Sequence, residues 1–321
     1  MINCLDPSIR FIGRWYVIDR LAVATAPGSH FQFAFKGRQA VMHFQTDLLL
    51  KPFPHLWISV DGGAMVEAQL DKKLRIQAAN DGNHVVEVIF KSAIEQSGRW
   101  FYPMTGRIDF RGYEADAPGQ LPPAVKKTIE FVGDSITEGV LIDWPSSNDL
   151  TWLERPMQDD STATYAWLAA QELGLEPYIM GYGGVGVTSR GSGAVPKVQE
   201  SYPYCFLDTP IPYSNCDYIV IHHGTNDANA SLEDFRTGYT ALLDVITGHN
   251  PESRIFVLTP FCGVWQKELP EIVSQYNART GADITCLCTD GWLNSERIHP
   301  DREGHARVGK ALAEALRAHG V

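Results

Sequence analysis

The spacing of apolar residues changes near residue 122, and this change constrains the fold more than any other feature of the chain. Before it, apolar side chains alternate with polar ones in short runs, as at 31–35, 56–60 and 86–90. A period of two indicates strands with one buried face. Turns rich in Gly, Asp and Asn separate the runs. The pattern predicts an antiparallel, jelly-roll-like β-sandwich over residues 1–122.

A linker separates this part of the chain from the rest. Residues 112–127 lose all periodicity and concentrate Pro, Gly and Ala, a composition typical of a connection between domains. We therefore predict a second domain over residues 123–321.

Strand and helix patterns alternate in the second domain. Strands are predicted at 128–132, 178–182, 217–223, 254–261 and 284–288, and helices at 161–174, 231–248 and 301–319. Almost continuously apolar strands separated by helices indicate a parallel sheet that is covered on both faces. The prediction is a three-layer α/β/α domain, in which chemistry belongs at the carboxyl ends of the strands.

Charge and composition narrow the class of function. The 321 residues carry a formal net charge of -11 and no Lys/Arg cluster, which argues against a nucleic-acid partner. No apolar run approaches the roughly 20 residues that span a bilayer, and no signal-like segment opens the chain. These features predict a cytoplasmic protein without a membrane partner, although a mature secreted form would look the same. The six cysteines show no metal-binding spacing and are predicted to be reduced core residues.

Four short segments carry the candidate chemistry. VGDSITEG (132–139), GYGGVGVT (181–188) and HHGTND (222–227) each follow a predicted strand, and ERIHPDREG (296–304) precedes the last helix. Folding of a parallel sheet would bring all four into one crevice. A Ser at a Gly-flanked strand-to-helix turn exposes its hydroxyl, so Ser135 is a candidate nucleophile; a plain helix cap is the alternative.

The four ordered segments resemble the sequence blocks of the SGNH (GDSL-like) hydrolase superfamily over residues 127–321. The resemblance implies that Ser135 is the nucleophile and His299 the general base, which accepts the proton of the serine hydroxyl. It also implies an oxyanion hole formed by the backbone N–H groups of Ser135 and Gly186 and the side chain of Asn226. No metal and no organic cofactor are needed for this chemistry.

The segment around His299 departs from the family pattern at one position. The family has Asp three residues before the His, and this chain has Glu296. Glu296 is therefore implied to orient the imidazole, with a backbone carbonyl as the alternative. Asp290 and Asp301 are weaker substitutes.

Several polar residues near these segments are predicted to have structural roles. His222 and His223 end a strand and are expected to pack inside the fold rather than act in catalysis. Asp134 and Asp227 are expected to hydrogen-bond loop backbone. We read Asp159–Asp160 as a solvated approach to a helix.

Aromatic residues after the strands are the candidates for substrate contact. Trp265 and Trp292 are predicted to stack on a sugar ring, with a core or rim position as the alternative. The polar, irregular segment 141–160 is expected to line the crevice.

The order of a β domain followed by an SGNH domain resembles carbohydrate esterase family two, as do the short matches FIGRW, GDSITEG and TYAWLAAQ. This resemblance implies a serine esterase that removes O-acetyl groups from xylan, mannan or their oligosaccharides. One alternative is a non-catalytic carbohydrate-binding protein on a hydrolase fold. Another is a thioesterase or lysophospholipase, although the polar 141–160 segment is unlike an apolar lid.

Overall fold

The computed structural model describes residues 1–47, 49–125, 127–144, 151–293 and 297–321. The N-terminal strands are β1 (Ile2–Asn3), β2 (Ile9–Ile12), β3 (Tyr16–Ile18), β4 (Leu21–Ala24), β5 (His30–Lys36), β6 (Gln39–Phe44), β7 (His55–Val60), β8 (Val66–Gln69), β9 (Lys73–Gln77), β10 (Asn83–Ser92), β11 (Ile108–Glu114) and β12 (Ala117–Pro118).

The C-terminal strands are β13 (Thr128–Gly133), β14 (Glu176–Gly181), β15 (Tyr204–Phe206), β16 (Thr209–Pro210), β17 (Tyr218–His222), β18 (Arg254–Leu258) and β19 (Thr285–Leu287). The α-helices are α1 (Ser135–Glu138), α2 (Tyr165–Leu173), α3 (Val198–Ser201), α4 (Leu232–His249), α5 (Glu268–Thr280) and α6 (Arg302–Ala318). Short 3₁₀ turns lie at Trp152–Gln158, Ser161–Ala163, Ser192–Ala194 and Thr225–Asp227.

Two antiparallel sheets form the N-terminal part. One has the order β3-β4-β11-β6-β9 with β1 beside β11, and the other β12-β5-β10-β7-β8 with β2 beside β5. Alternate side chains of β5 enter the core between the sheets, where the Phe31 ring lies 4.3 Å from the Phe110 ring of the other sheet. The predicted antiparallel sandwich is confirmed, and the period of two in the sequence reflects this buried face.

The C-terminal part contains a parallel sheet of order β14-β13-β17-β18-β19. Successive residues of each central strand enter different cores, so both faces of the sheet are buried. Phe131, Val220 and Phe256 pack against α2 and α6, whereas Val132, Ile221 and Val257 pack against α4 and α5. The predicted three-layer arrangement is confirmed.

The helix caps explain which helices could be predicted. Thr164, Ser231 and Asp301 accept hydrogen bonds from the first turns of α2, α4 and α6, close to the predicted starts. Helix α5 was not predicted from the sequence. Lys267 precedes it and makes no side-chain cap, so the usual start signal is missing.

Two further features of the structure concern the cysteines and the length of the apolar helices. Cys4, Cys205 and Cys216 are buried thiols, but Cys262 and Cys288 are exposed, so the prediction that every cysteine lies in the core is wrong for these two. No helix within the described ranges is both long and apolar enough to cross a bilayer.

Buried contacts join the two parts of the chain. β12 ends at Pro118 and β13 begins at Thr128, and the predicted boundary at residue 122 between them stays a prediction. Arg14 of the sandwich binds Glu130 of β13 at 3.0 Å, and both side chains are fully buried. The segment between β10 and β11, residues 93–107, also packs on the C-terminal part; its Trp100 lies in the core that includes α4 and α5.

Candidate active site

The segment after β13 presents Ser135 at the carboxyl edge of the parallel sheet. Ser135 is the first residue of α1, and the Asp134 carboxylate caps this helix by accepting the Ile136 N–H at 3.0 Å. The turn is tight, because a Cβ on Gly133 would lie 2.0 Å from the Thr137 hydroxyl oxygen. The first N–H of a helix has no intrahelical acceptor, so the Ser135 N–H is not used within α1, and its role as an oxyanion donor stays a prediction.

The structure brings Ser135 and His299 together. The Nε2 atom of His299 lies 2.9 Å from the Oγ atom of Ser135, within hydrogen-bond distance. Burial lowers the pKa of His299 from its ordinary value, an effect that the Glu95 carboxylate opposes and that Arg155 and Arg297 reinforce. The imidazole is therefore neutral at neutral pH, as a general base must be.

The predicted oxyanion donors have partners within the protein in this structure. The Asn226 side-chain amide donates to the Val185 carbonyl at 3.0 Å and to the Asp134 carboxylate at 3.3 Å. The Gly186 N–H donates to the Ser189 carbonyl at 3.1 Å. The donor roles of Asn226 and Gly186 stay predictions, and they require a developing oxyanion to replace partners that these groups have within the protein.

Asp227 holds the glycine-rich loop beside Ser135. Its carboxylate accepts the N–H groups of Val187 at 3.1 Å and Thr188 at 2.8 Å. Asp227 therefore binds loop backbone, as the sequence indicated, whereas Asp134 binds the first turn of α1 instead. Burial raises the pKa of Asp134 to about 7.

Three acidic residues are the predicted candidates for orienting His299. Glu296 lies outside the described residues, so its predicted role stays a prediction. Asp301, one of the weaker substitutes, caps α6 by accepting the Gly304 N–H at 2.9 Å. Asp290 is exposed.

Three histidines behind the site are buried and neutral. Burial lowers the pKa of His222 and of His305 to about 3 and that of His223 to about 4. His305 Nδ1 accepts the Tyr165 N–H at 3.0 Å, which fixes the start of α2 against α6. The structural reading of His222 and His223 agrees with this burial.

The two predicted sugar-stacking tryptophans pack against the protein. Trp265 stacks on Phe235 with ring centroids 4.2 Å apart and an interplanar angle of 7°. Trp292 is half-buried against the core beneath α2 and α6. Their predicted contact with a sugar stays a prediction.

The sequence reading of Asp159–Asp160 as a solvated pair is wrong. Both side chains are buried: Asp159 binds Arg155, and Asp160 accepts hydrogen bonds from the Trp57 indole at 3.1 Å and from Arg302 at 2.9 Å. The Trp57 and Arg302 donors come from distant parts of the chain, so the local sequence did not indicate the burial of Asp160.

A buried ion pair next to the site was missed by the sequence analysis. Arg99 of the 93–107 segment donates through both terminal nitrogens to the Glu138 carboxylate, and both side chains are almost completely buried. Glu138 also accepts the Gly183 N–H at 2.7 Å. One carboxylate thus joins the helix that begins at Ser135, the glycine-rich loop and the N-terminal sandwich.

The described residues were also compared with the requirements of a metal site. Among them, no group of three or more His, Cys, Asp or Glu side chains has an arrangement that could hold a metal ion.

The chain is similar to known proteins at the level of a family, of individual relatives and of a solved structure. The model of the GDSL-like Lipase/Acylhydrolase family matches residues 131–307, more than half of the chain. The cellulase/esterase CelE of Acetivibrio thermocellus is 29% identical over 164 residues, which are 47% of this chain and 19% of that protein. An acetylxylan esterase / glucomannan deacetylase of Cellvibrio japonicus is 27% identical over 219 residues, 65% of this chain and 56% of that protein.

These two matches span about a fifth and a little over half of the relatives' own lengths.

A solved structure shares the fold over nearly the whole chain. The family two carbohydrate esterase from Cellvibrio japonicus superposes with a TM-score of 0.81 at 18% identity, covering 99% of this chain and 96% of that one.

Proposed function

Since the chain belongs to the GDSL-like lipase/acylhydrolase family, we propose that it is a serine esterase that removes O-acetyl groups from carbohydrate. The observation that carries the proposal is the 2.9 Å contact between the Ser135 hydroxyl and the His299 imidazole. A neutral imidazole in hydrogen-bond contact with a serine hydroxyl is the arrangement that nucleophilic acyl transfer requires.

The proposed reaction has two half-reactions. Ser135 Oγ attacks the acetyl carbonyl carbon while His299 Nε2 takes the hydroxyl proton, and the tetrahedral intermediate carries its negative charge toward the Ser135 and Gly186 N–H groups and the Asn226 amide. His299 then returns the proton to the departing sugar oxygen, leaving acetyl-Ser135. Water attacks this ester with His299 as base, which releases acetate and restores the serine.

Carbohydrate is the substrate that the surroundings of His299 fit best. Charged side chains of Glu95, Arg155 and Arg297 influence this imidazole, so the crevice is polar beside the nucleophile. Sugar hydroxyls can replace the water around such groups, whereas a long acyl chain cannot. The curated names of the two relatives, an esterase joined to a cellulase and a deacetylase of xylan and glucomannan, point to acetylated xylan, mannan or their oligosaccharides.

The acyl-chain preference tests the proposed function. We expect p-nitrophenyl acetate to be hydrolysed with a higher kcat/KM than the butyrate or octanoate ester, and acetate to be released from acetylated xylo- or mannooligosaccharides. Activity that rises with chain length would instead support a lysophospholipase or thioesterase. Oligosaccharide binding with no turnover of any ester would support a non-catalytic binding protein.

The pH dependence of kcat/KM tests His299 as the base. Because burial lowers the pKa of His299, the imidazole stays neutral at a lower pH than a free one, whose pKa is about 6.5. We expect the acid limb of the kcat/KM profile for p-nitrophenyl acetate to have its midpoint below pH 6.5. A midpoint above that value, or no acid limb between pH 4 and 7, would contradict the assignment.

A further inference from the structure

The 93–107 segment brings a carboxylate of the N-terminal sandwich to the site. We propose that Glu95 is a substrate-binding residue, whose carboxylate accepts a hydrogen bond from a hydroxyl of the sugar that carries the acetyl group. The inference deepens the proposed function and rests on it.

The backbone of Glu95 is anchored to the helix that begins at Ser135. Arg99 donates from Nη2 to the Glu95 carbonyl at 3.1 Å, and the same guanidinium binds Glu138, three residues after Ser135. The Arg99 N–H donates to the Gly193 carbonyl at 3.1 Å. Because Arg99 is fully buried and held on several sides, the position of Glu95 relative to Ser135 is defined.

The side chain of Glu95 lies on the glycine-rich loop. A Cβ on Gly183 would come within 2.1 Å of Glu95 Oε2, so the carboxylate occupies space that any other residue at position 183 would fill. Gly183 follows β14, whose end pairs with the end of β13 immediately before the Ser135 turn. Glu95 is therefore at the carboxyl edge of the sheet, where the substrate must enter.

The Glu95 carboxylate keeps capacity to bind a ligand. Oε1 accepts the Gln96 side-chain amide at 2.8 Å. The neighbouring guanidinium of Arg99 binds the Glu138 carboxylate and the Glu95 backbone rather than the Glu95 carboxylate. A carboxylate offers about four acceptor sites, and this side chain is only half-buried. Sugar hydroxyls are hydrogen-bond donors, and a donor to an ionised acceptor forms the stronger kind of hydrogen bond.

Glu95 also acts on His299 through its charge. Its negative charge raises the pKa of His299, against the larger lowering by burial and the further lowering by Arg155 and Arg297. If Glu95 served only to stabilise the fold, its replacement would leave the pKa of His299 unchanged. If its carboxylate faces the crevice, removing the charge changes that pKa. The pH profile therefore separates the two roles.

The test compares the Glu95→Gln variant with the wild-type protein on two substrates. For whichever acetylated xylo- or mannooligosaccharide the wild type hydrolyses, we expect KM to rise about tenfold, because a hydrogen bond to a charged group is replaced by one to a neutral amide. The rise in KM for p-nitrophenyl acetate, which has no sugar, should be about tenfold smaller, so KM for this substrate should hardly change. The acid limb of kcat/KM should move to lower pH on both substrates.

Two further variants make the result specific. Glu95→Asp keeps the charge but withdraws it by one methylene, so the acid limb should stay near that of the wild type while KM for the oligosaccharide rises. Glu252→Gln removes an exposed carboxylate before β18, at the opposite edge of the sheet, and should change neither quantity.

The outcomes separate failure of the inference from failure of the proposed function. If the wild type hydrolyses no acetyl ester, the proposed function fails. If the wild type is active and Glu95→Gln leaves both the oligosaccharide KM and the acid limb in place, Glu95 does not bind substrate. An equal loss on both substrates with an unmoved acid limb also overturns the inference, because it indicates a structural role.

Discussion

Replacing Ser135 with alanine is expected to lower kcat for acetyl ester hydrolysis by about 10⁴- to 10⁶-fold. The variant keeps the cap on α1, since the Asp134 side chain accepts that hydrogen bond from the Ile136 N–H, but it has no hydroxyl 2.9 Å from His299. Without the hydroxyl no acyl-enzyme forms. Steady-state turnover of p-nitrophenyl acetate, with thermal unfolding to show that the variant is folded, measures the loss.

His299→Ala and the double variant complete this experiment. If Ser135 and His299 act as one unit, the double variant should be no slower than the slower single variant, because the second change removes nothing that still works. Multiplied losses in the double variant would show that the two side chains act separately. Retention of a tenth or more of the wild-type rate by Ser135→Ala would end the serine mechanism.

The fold class was predictable because hydrophobic periodicity is a local signal. β5 shows its buried face every second residue, whereas β13 and β17 are mostly apolar because each has a core on both faces. Ser135 and His299 are 164 positions apart, yet both lie where strand and helix patterns meet at one edge of the sheet. Their proximity followed from the topology of a parallel sheet.

The surroundings of the site were not predictable in the same way. Arg99 and Glu95 lie in an irregular segment of a different part of the chain, and no local pattern indicates that a loop of the sandwich will reach Glu138. The misreading of Asp160 has the same origin: a helix-capping signal was present, but the contacts from Trp57 and Arg302 decide its burial. Long-range polar pairing depends on the assembled fold, which periodicity does not encode.

Arg99→Met is expected to destabilise the protein by about 3–5 kcal/mol, the usual effect of removing one partner of a buried ion pair. The Glu138 carboxylate would remain buried without its guanidinium. Burial raises the pKa of Glu138 and Arg99 opposes that rise, so the variant's carboxyl becomes easier to protonate. The loss of stability should therefore be greatest at neutral pH and shrink as the pH falls through the raised pKa of Glu138 in the variant.

Urea unfolding at several pH values, with matched variants, decides whether the buried charge is the cause. Arg99→Met/Glu138→Gln removes the charge as well as its partner, while an amide oxygen at position 138 can still accept the Gly183 N–H. The double variant should be more stable than Arg99→Met alone.

Arg38→Met is the control for an exposed ion pair. Arg38 and Asp81 are 3.3 Å apart, with side chains 61% and 75% exposed, and this variant should change stability by less than about 1 kcal/mol. If Arg99→Met resembles Arg38→Met, the sandwich does not brace the Ser135 helix through this pair. If Arg99→Met is destabilised equally at every pH and the double variant does not recover, lost packing rather than an uncompensated charge is responsible.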